Sequence, residues 1–225
     1  LRMSRGLGDV YKRQIIDRGK KETALKYLDD YSHLFKDATK GKKNREEYAI
    51  YTKMWATYNW ANGTKGQKEK AVEILLEYAK GGFNYNNNID LELAGMLLQY
   101  KSILIISEWQ DLKERKRYEE VSDNEFKRLR DKQRQVCKEI HDKQGIFLYN
   151  AISKKKLNEV SSGARQNVIA GLYSFIDVLI RLTKFDLTLE ICTYIICFAP
   201  KNFHSQFQHK AEWVKQIKKQ KRVKE

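Results

Sequence analysis

The sequence predicts an all-α protein, built as an α-solenoid of antiparallel helical hairpins with one long central helical hairpin. Three observations support this prediction. The 225 residues contain 12 glycines and one proline, too few turn-forming residues for the many short strands of a sandwich or barrel. Apolar residues recur at three- and four-residue steps, which is typical of helices with one buried face. One phrase also occurs twice along the chain, 47 residues apart.

The repeated phrase is GKKETALKYLDDY at 19–31 and GQKEKAVEILLEY at 66–78. A repeat of this length is typical of stacked helical hairpins, each too small to bury its apolar face alone. In each copy three positions fall at i, i+4 and i+7 of a helix and form one stripe. These are Ala24, Leu28 and Tyr31 in the first copy, and Ala71, Leu75 and Tyr78 in the second.

Breakers and caps divide the chain into successive helices. Asn62-Gly63 and Gly81-Gly82 end helices in the expected way, and Ser122 to Glu125 fits a capping box. Asn202 after Pro200 is the predicted cap of the last helix. The predicted helices are 21–35, 45–61, 66–80, 89–120, 123–153 (the last two forming the long hairpin), 164–183, one within 184–202, and a final one from 202.

Residues 1–14 are expected to be non-native or disordered. The segment RGLGDVYKRQ at 5–14 resembles the translated read-through of a sequencing adapter found in assemblies of environmental DNA. This resemblance implies that the biological sequence begins near Ile15 and that an upstream part of a larger bacterial protein is missing. We therefore expect a single helical-repeat domain over 15–225, with a frayed tail at 218–225.

The net charge of +15 raises the question of nucleic acid as a partner. Positive residues cluster at 40–45, 113–117, 154–156 and 215–224, where a solvated charge run is the simpler explanation. Cys137, Cys192 and Cys197 lack disulfide or metal spacing, and no apolar run is long enough to cross a bilayer. We expect a cytoplasmic protein without cofactor or metal and without membrane attachment.

The C-terminal part of the sequence has an aromatic residue at Phe185, a small residue at Thr188 and the ending Pro200-Lys201-Asn202, and the helix before it carries the large residues Leu172, Phe175 and Leu179. This layout resembles that of tetratricopeptide-type repeats, and the resemblance covers about 19–80 and 171–213. Ile176 and Ile195 stand where the family has small residues. The resemblance implies a right-handed helical stack whose concave groove holds a peptide or a protein domain.

Two sets of residues are candidates for a site. Tyr48, Lys53 and Trp60 form the predicted binding set, because aromatic rings with a lysine nearby can anchor a peptide or stack a base. Arg134 and His141, seven residues apart on one helix, resemble the motif of HEPN-type ribonucleases, which implies a histidine acid or base and an arginine that steadies a phosphate.

These candidates lead to three functional hypotheses. The main one is a protein-interaction scaffold, or the sensor or regulatory region of a larger protein, without enzyme activity. The first alternative is an RNA- or DNA-binding helical domain that uses the basic clusters. The second alternative is a HEPN-type ribonuclease acting through Arg134 and His141.

Overall fold

The computed structural model describes residues 45–61, 63–154 and 157–222. Every regular element in these ranges is a helix, so the predicted all-α class is confirmed. Contacts divide the chain into two compact units, residues 1–74 and 75–225. The single domain over 15–225 stays a prediction. The first copy of the repeat and the segment 1–14 lie outside the described residues.

Helix α1 (Arg45–Ala61) has the predicted bounds but buries a different face from the one expected. The helical spacing of Tyr48, Tyr51, Met54, Trp55, Tyr58 and Ala61 predicts that this set is buried, but only Tyr58 is buried and Ala61 is exposed. Small and polar residues take the buried side, and the polar ones are satisfied within the helix because Thr52 and Asn59 donate to carbonyls one turn earlier, at 2.7 and 2.8 Å. The buried residues are Ala49, Thr52, Ala56, Tyr58 and Asn59.

The turn after α1 has the local chemistry that its sequence predicts. Gly63 has a φ of +83°, a conformation that side chains with a Cβ rarely adopt. The Thr64 hydroxyl accepts a hydrogen bond from the Gln67 backbone N–H at 3.3 Å and donates to the Gln67 side chain at 2.7 Å. Helix α2 (Lys65–Ala79) follows, and the predicted stripe of the second repeat copy, Ala71, Leu75 and Tyr78, is buried.

Helix α3 (Asn88–Arg117) begins with two side-chain anchors. The Asn87 side chain accepts a hydrogen bond from Ile89 N at 3.0 Å and caps the helix. Asp90, in the first turn, is fully buried. Its carboxylate accepts hydrogen bonds from the Tyr78 hydroxyl and, at 2.7 Å, from the backbone N–H of Asn84. The loop between α2 and α3 is therefore tied to the start of α3.

The second half of the long hairpin is interrupted, although the sequence predicted one helix to Ser153. The Ser122 side chain accepts from the Glu125 backbone N–H at 3.3 Å, as the capping box predicts. Helix α4 (Asp123–Ile140) then leads into a π-helical turn (His141–Gly145) and helix α5 (Ile146–Ser153). A Cβ on Gly145 would lie 2.1 Å from the Phe175 ring, so the ring occupies the space beside this turn.

Helix α4 contacts α3 in reversed order along the chain. Near the connection the rings of Trp109 and Phe126 are 6.1 Å apart. At the far end Lys101 Nζ lies 3.5 Å from Gln144 Oε1 in the π turn.

Helix α6 (Ser162–Arg181) contacts α3, and the contacting residues follow the same order along both helices. The backbone N–H of Ser161, just before α6, donates to the Asn88 side chain at 3.2 Å. Further along both helices, Asn167 Nδ2 donates to Glu92 Oε1 at 2.9 Å. At the other end the Arg181 guanidinium lies 3.7 Å from the centre of the Trp109 ring. The two helices therefore run side by side in the same direction.

Two glycines allow α3 and α6 to approach each other backbone to backbone. A Cβ on Gly95 would lie 2.6 Å from the carbonyl group of Asn167, and a Cβ on Gly171 would lie 2.5 Å from the carbonyl oxygen of Gly95. Both distances are well inside van der Waals contact. Any larger side chain at either position would therefore push the helices apart.

Helices α7 (Phe185–Phe198) and α8 (His204–Arg222) complete the second unit. Asn202 was expected to cap the last helix, but it lies inside a 3₁₀ turn, Lys201–Phe203, and α8 starts after that turn. The difference is local: the Phe203 backbone N–H donates to the Pro200 carbonyl at 3.0 Å and closes the 3₁₀ turn. Helix α8 extends to Arg222, into the predicted tail, and residues 223–225 lie outside the described ranges.

Both α7 and α8 contact earlier helices of this unit. The Tyr194 hydroxyl of α7 donates to the Ile152 carbonyl at 2.6 Å, and Tyr149 donates to Glu190 at 3.0 Å. The Phe207 ring of α8 lies 5.4 Å from that of Tyr173 on α6. The core between these helices contains Leu172, Phe175, Ile176, Leu179 and Ile195, all fully buried.

Candidate functional site: two cavities beside helix α3

The first cavity, here called the groove, lies between α3 and α6 and has a volume of about 280 Å³. Helix α6 contributes Ser174 and Asp177. Ile103 is 36 % exposed, which is unusual for a large apolar residue in this structure. The lining residues from α3 are Ser102, Ile103, Ile106, Ser107 and Gln110.

The groove carries little net charge. Asp177 is the one ionisable residue among the described residues of its lining, and it accepts a hydrogen bond from Lys210 of α8. The Lys210 side chain is only 12 % exposed, and its ammonium lies 4.1 Å from the centre of the Tyr173 ring. A carboxylate that is paired in this way attracts a cationic ligand weakly. The groove therefore offers hydroxyl, amide and apolar contacts.

One polar atom in the groove lacks a partner. The Ser102 hydroxyl oxygen is buried and has no hydrogen-bond partner among the described residues. Leaving a buried hydroxyl unpaired costs about 1–3 kcal/mol. A ligand that supplies an N–H or C=O group at this position would recover that cost.

The second cavity, here called the arginine cavity, has a volume of about 310 Å³ and is formed by three helices. Helix α3 supplies Ile105 and Trp109, and α6 supplies Arg181. Among the described residues, no carboxylate lines this cavity. Helix α4 supplies the remaining lining residues, Arg130, Gln133, Arg134 and Cys137.

Arg181 is held in an environment that disfavours its charge. Its guanidinium stacks on the Trp109 ring, over which Lys113 also lies at 5.5 Å. Burial lowers the pKa of Arg181 to about 10, although Cys137 and Asp177 act in the opposite direction. The group is still protonated at neutral pH. An anion beside it would therefore stabilise the charged form.

The arginine cavity also contains two buried polar atoms without hydrogen-bond partners among the described residues. They are the Trp109 indole nitrogen, a donor, and Gln133 Oε1, an acceptor in the assigned orientation of the amide. Buried polar groups in proteins are nearly always paired. Two such atoms in one cavity indicate a site that a polar ligand can complete.

Cys137 lines this cavity as a buried free thiol. Burial raises the pKa of its thiol, and the opposing effect of the nearby Arg181 charge is smaller. The thiol is therefore neutral at physiological pH, and only thiolates attack efficiently. The cavity has the chemistry of a binding site.

The predicted pair Arg134 and His141 is not brought to one cavity. Arg134 lines the arginine cavity, whereas His141 is not in its lining and begins the π-helical turn. The His141 ring lies 6.2 Å from the Phe175 ring, and its Nδ1 is 2.6 Å from the Asp142 carboxylate. The ribonuclease hypothesis needs both side chains on one phosphate and stays a prediction.

The predicted binding set Tyr48, Lys53 and Trp60 lies on α1, in the first unit, and lines neither of the two cavities. All three residues are half-buried. The ammonium of Lys68, from α2, lies 5.5 Å from the centre of the Trp60 ring. Lys53 and Trp60 share one side of the helix, while Tyr48 is roughly a third of a turn away. This set stays a prediction.

Two residues that matter in the arginine cavity were not recognised as site residues from the sequence. Trp109 falls within the predicted helix 89–120, and Arg181 falls within the predicted helix 164–183. A cation in the apolar stretch VLIRLT, at 178–183, was the available signal, because a charged group among buried residues needs a partner.

Known proteins supply no family for this chain: no family model, no curated protein and no solved structure matches it. Among the helices of residues 45–61, 63–154 and 157–222, none has both the length and the apolar character needed to cross a bilayer. The function is therefore inferred from the two cavities and the helices that form them.

Proposed function

We propose that this chain is a helical-repeat module that binds a partner protein by holding a peptide segment of it in the groove between α3 and α6. The observation that carries the proposal is the groove itself, which combines the exposed Ile103 with the unpaired buried hydroxyl of Ser102. Protein-binding sites typically join an apolar anchor to a few polar groups that fix orientation.

The order of contacts within residues 75–222 supports the solenoid arrangement that the tetratricopeptide resemblance implies. Helix α6 runs beside α3 in the same direction, as the contacts of Asn88 and Trp109 indicate. Helix α8 in turn contacts α6 in the same order, from Tyr173–Phe207 to Asp177–Lys210. Alternate helices that share a direction are what stacked hairpins produce.

The low charge of the groove favours a peptide over nucleic acid at this site. A nucleic-acid groove needs several cations along its length to neutralise phosphates, and the lining contains only the paired carboxylate of Asp177. The hydroxyls of Ser102, Ser107 and Ser174 can instead bond to peptide N–H and C=O groups. Ile103 and Ile106 provide apolar contact for one side chain of the peptide.

Substituting Ile103 by lysine tests this function. Peptides selected from a random display library on the wild-type chain should bind Ile103→Lys about tenfold more weakly, because about 1.4 kcal/mol of apolar contact is lost. Affinity is measured by isothermal titration with each selected peptide. Helix content and the thermal midpoint, measured in parallel, should match the wild type, since Ile103 is partly exposed.

The matched control is Phe147→Lys, which places the same side chain on α5 at a position 57 % exposed and outside the groove. It should leave peptide affinity within about twofold, consistent with the small effect of most surface substitutions. Equal affinity for Ile103→Lys and wild type, or an equal loss in both variants, would contradict binding in the groove.

A further inference from the structure

The peptide binding proposed for the groove does not involve the arginine cavity. We infer that this cavity binds the phosphate group of a ribonucleotide, either free or within an RNA strand. The inference does not depend on peptide binding in the groove. It rests on the charge of the cavity, on its two unpaired polar atoms, and on the way the Trp109 ring is covered.

The charge of the cavity calls for an anion. Arg134 and Arg181 have no ion pair among the described residues. Asp177 is the carboxylate whose charge raises the pKa of Arg181, and it is paired with Lys210. The Arg130 guanidinium lies 3.2 Å from the carboxylate of the neighbouring Asp131, and this exposed ion pair is weak. Guanidinium groups bind phosphate through two parallel hydrogen bonds, so Arg134 and Arg181 are suited to one phosphate between α4 and α6.

The unpaired atoms specify more than an anion. The Trp109 indole N–H can donate to a phosphate oxygen, and Gln133 Oε1 can accept from a hydroxyl. Both side chains line the same cavity. A ribose phosphate carries both complementary groups a few bonds apart, and its 2′-hydroxyl is the group that distinguishes RNA from DNA.

The cavity does not offer an open aromatic face to a base. Arg181 and Lys113 both lie over the Trp109 ring, and the volume of about 310 Å³ is at the lower limit for small-ligand sites. Binding should therefore involve sugar and phosphate and show little base preference. Lys127 and Lys138 are exposed on the same side of α4 as Arg134 and extend the positive surface beyond the cavity.

The test measures binding of labelled single-stranded RNA to the full chain by fluorescence anisotropy, with unlabelled competitors. We expect competition by a ribonucleoside 5′-monophosphate, weaker competition by its 2′-deoxy form by about fivefold, and still weaker competition by inorganic phosphate. If RNA binds more than about tenfold tighter than the mononucleotide and its affinity falls steeply with salt, the ligand of the cavity is an RNA strand. If the two affinities are comparable, the ligand is the free nucleotide.

Matched variants separate the cavity from general surface charge. Arg134→Gln should weaken RNA and mononucleotide binding about tenfold, whereas Lys132→Gln, which removes the same charge from the same helix outside the cavity lining, should change it less than about twofold. Gln133→Leu should abolish the preference for ribose over deoxyribose. Ile103→Lys should leave nucleotide binding unchanged, so failure of this inference and failure of the groove are distinguishable.

Three results would overturn the inference. The first is the absence of binding by RNA and by ribonucleoside monophosphate. The second is an equal effect of Arg134→Gln and Lys132→Gln, which assigns any binding to diffuse surface charge. The third is binding of a phosphoserine peptide that requires Arg134 while ribonucleotides do not compete, which assigns the cavity to a different class of ligand.

Discussion

Replacing Gly95 by alanine is expected to lower the free energy of unfolding by about 3 kcal/mol, as overpacking at a tight helix contact does. The new Cβ would lie 2.6 Å from the backbone of Asn167 and 2.7 Å from Val168 N. These are backbone atoms, so no side-chain rotation relieves the clash, and α3 and α6 must separate. The separation would also weaken the hydrogen bond from Asn167 to Glu92. Urea unfolding followed by far-UV circular dichroism measures the change.

The control for Gly95→Ala is Gly66→Ala on α2, where a new Cβ would have no neighbour within 4 Å. Here alanine should leave stability unchanged or raise it by up to about 1 kcal/mol, because alanine favours helix more than glycine does. Gly171→Ala should resemble Gly95→Ala, since it meets the same contact from the other helix. Wild-type stability in both variants at that contact would show that the two backbones are not in contact there.

Replacing Asp90 by alanine is expected to cost about 3 kcal/mol of stability, because it removes a charged acceptor from the buried Tyr78 hydroxyl and from the loop before α3. The carboxylate is fully buried and accepts from the Tyr78 hydroxyl and the Asn84 backbone N–H. Both donors would lose this acceptor. The measurement is again the urea midpoint, together with faster amide hydrogen exchange at Asn84.

Two variants calibrate the Asp90 result. Tyr78→Phe removes only one of the two hydrogen bonds and should cost about 1 kcal/mol. Asp186→Ala removes a carboxylate from the first turn of α7, where it is 86 % exposed and paired with Lys218, and should have a much smaller effect than Asp90→Ala. Similar losses of stability in Asp90→Ala and Asp186→Ala would contradict the burial of the Asp90 carboxylate.

Local features of the fold could be predicted from the sequence because their causes are local. The bounds of α1, the turn at Gly63 and the cap at Ser122 depend on residues within one or two turns of each other. The buried stripe of Ala71, Leu75 and Tyr78 follows from helical spacing. The π-helical turn was missed because Phe175, whose ring lies against Gly145, is 30 residues away in the chain.

The contact between α3 and α6 could not be predicted for the same reason. Gly95 falls within the predicted helix 89–120, and nothing in the sequence links it to Gly171, 76 residues later. The arginine cavity was found only in part. Arg134 was singled out with His141, whereas the structure places it in the same lining as Arg181 and Trp109, from two other helices. A cavity assembled from three helices has no signature in sequence spacing.

Both cavities depend on α3 and α6 running side by side in the same direction, and distances between spin labels test this most directly. Labels on Asp111 of α3 and Lys184 just after α6 should lie close together, whereas labels on Asp111 and Gln166, near the start of α6, should be about 25 Å apart along the helix axis. Cys197 is exposed and must first be replaced by serine, while Cys137 and Cys192 are buried.

Double electron–electron resonance on these two double-labelled variants measures both distances, and their order gives the relative direction of α3 and α6. A short Asp111–Lys184 distance and a long Asp111–Gln166 distance is the result that the Trp109–Arg181 and Glu92–Asn167 contacts predict. The reverse order, or two equal distances, would contradict the arrangement of α3 and α6, and with it both proposed binding sites.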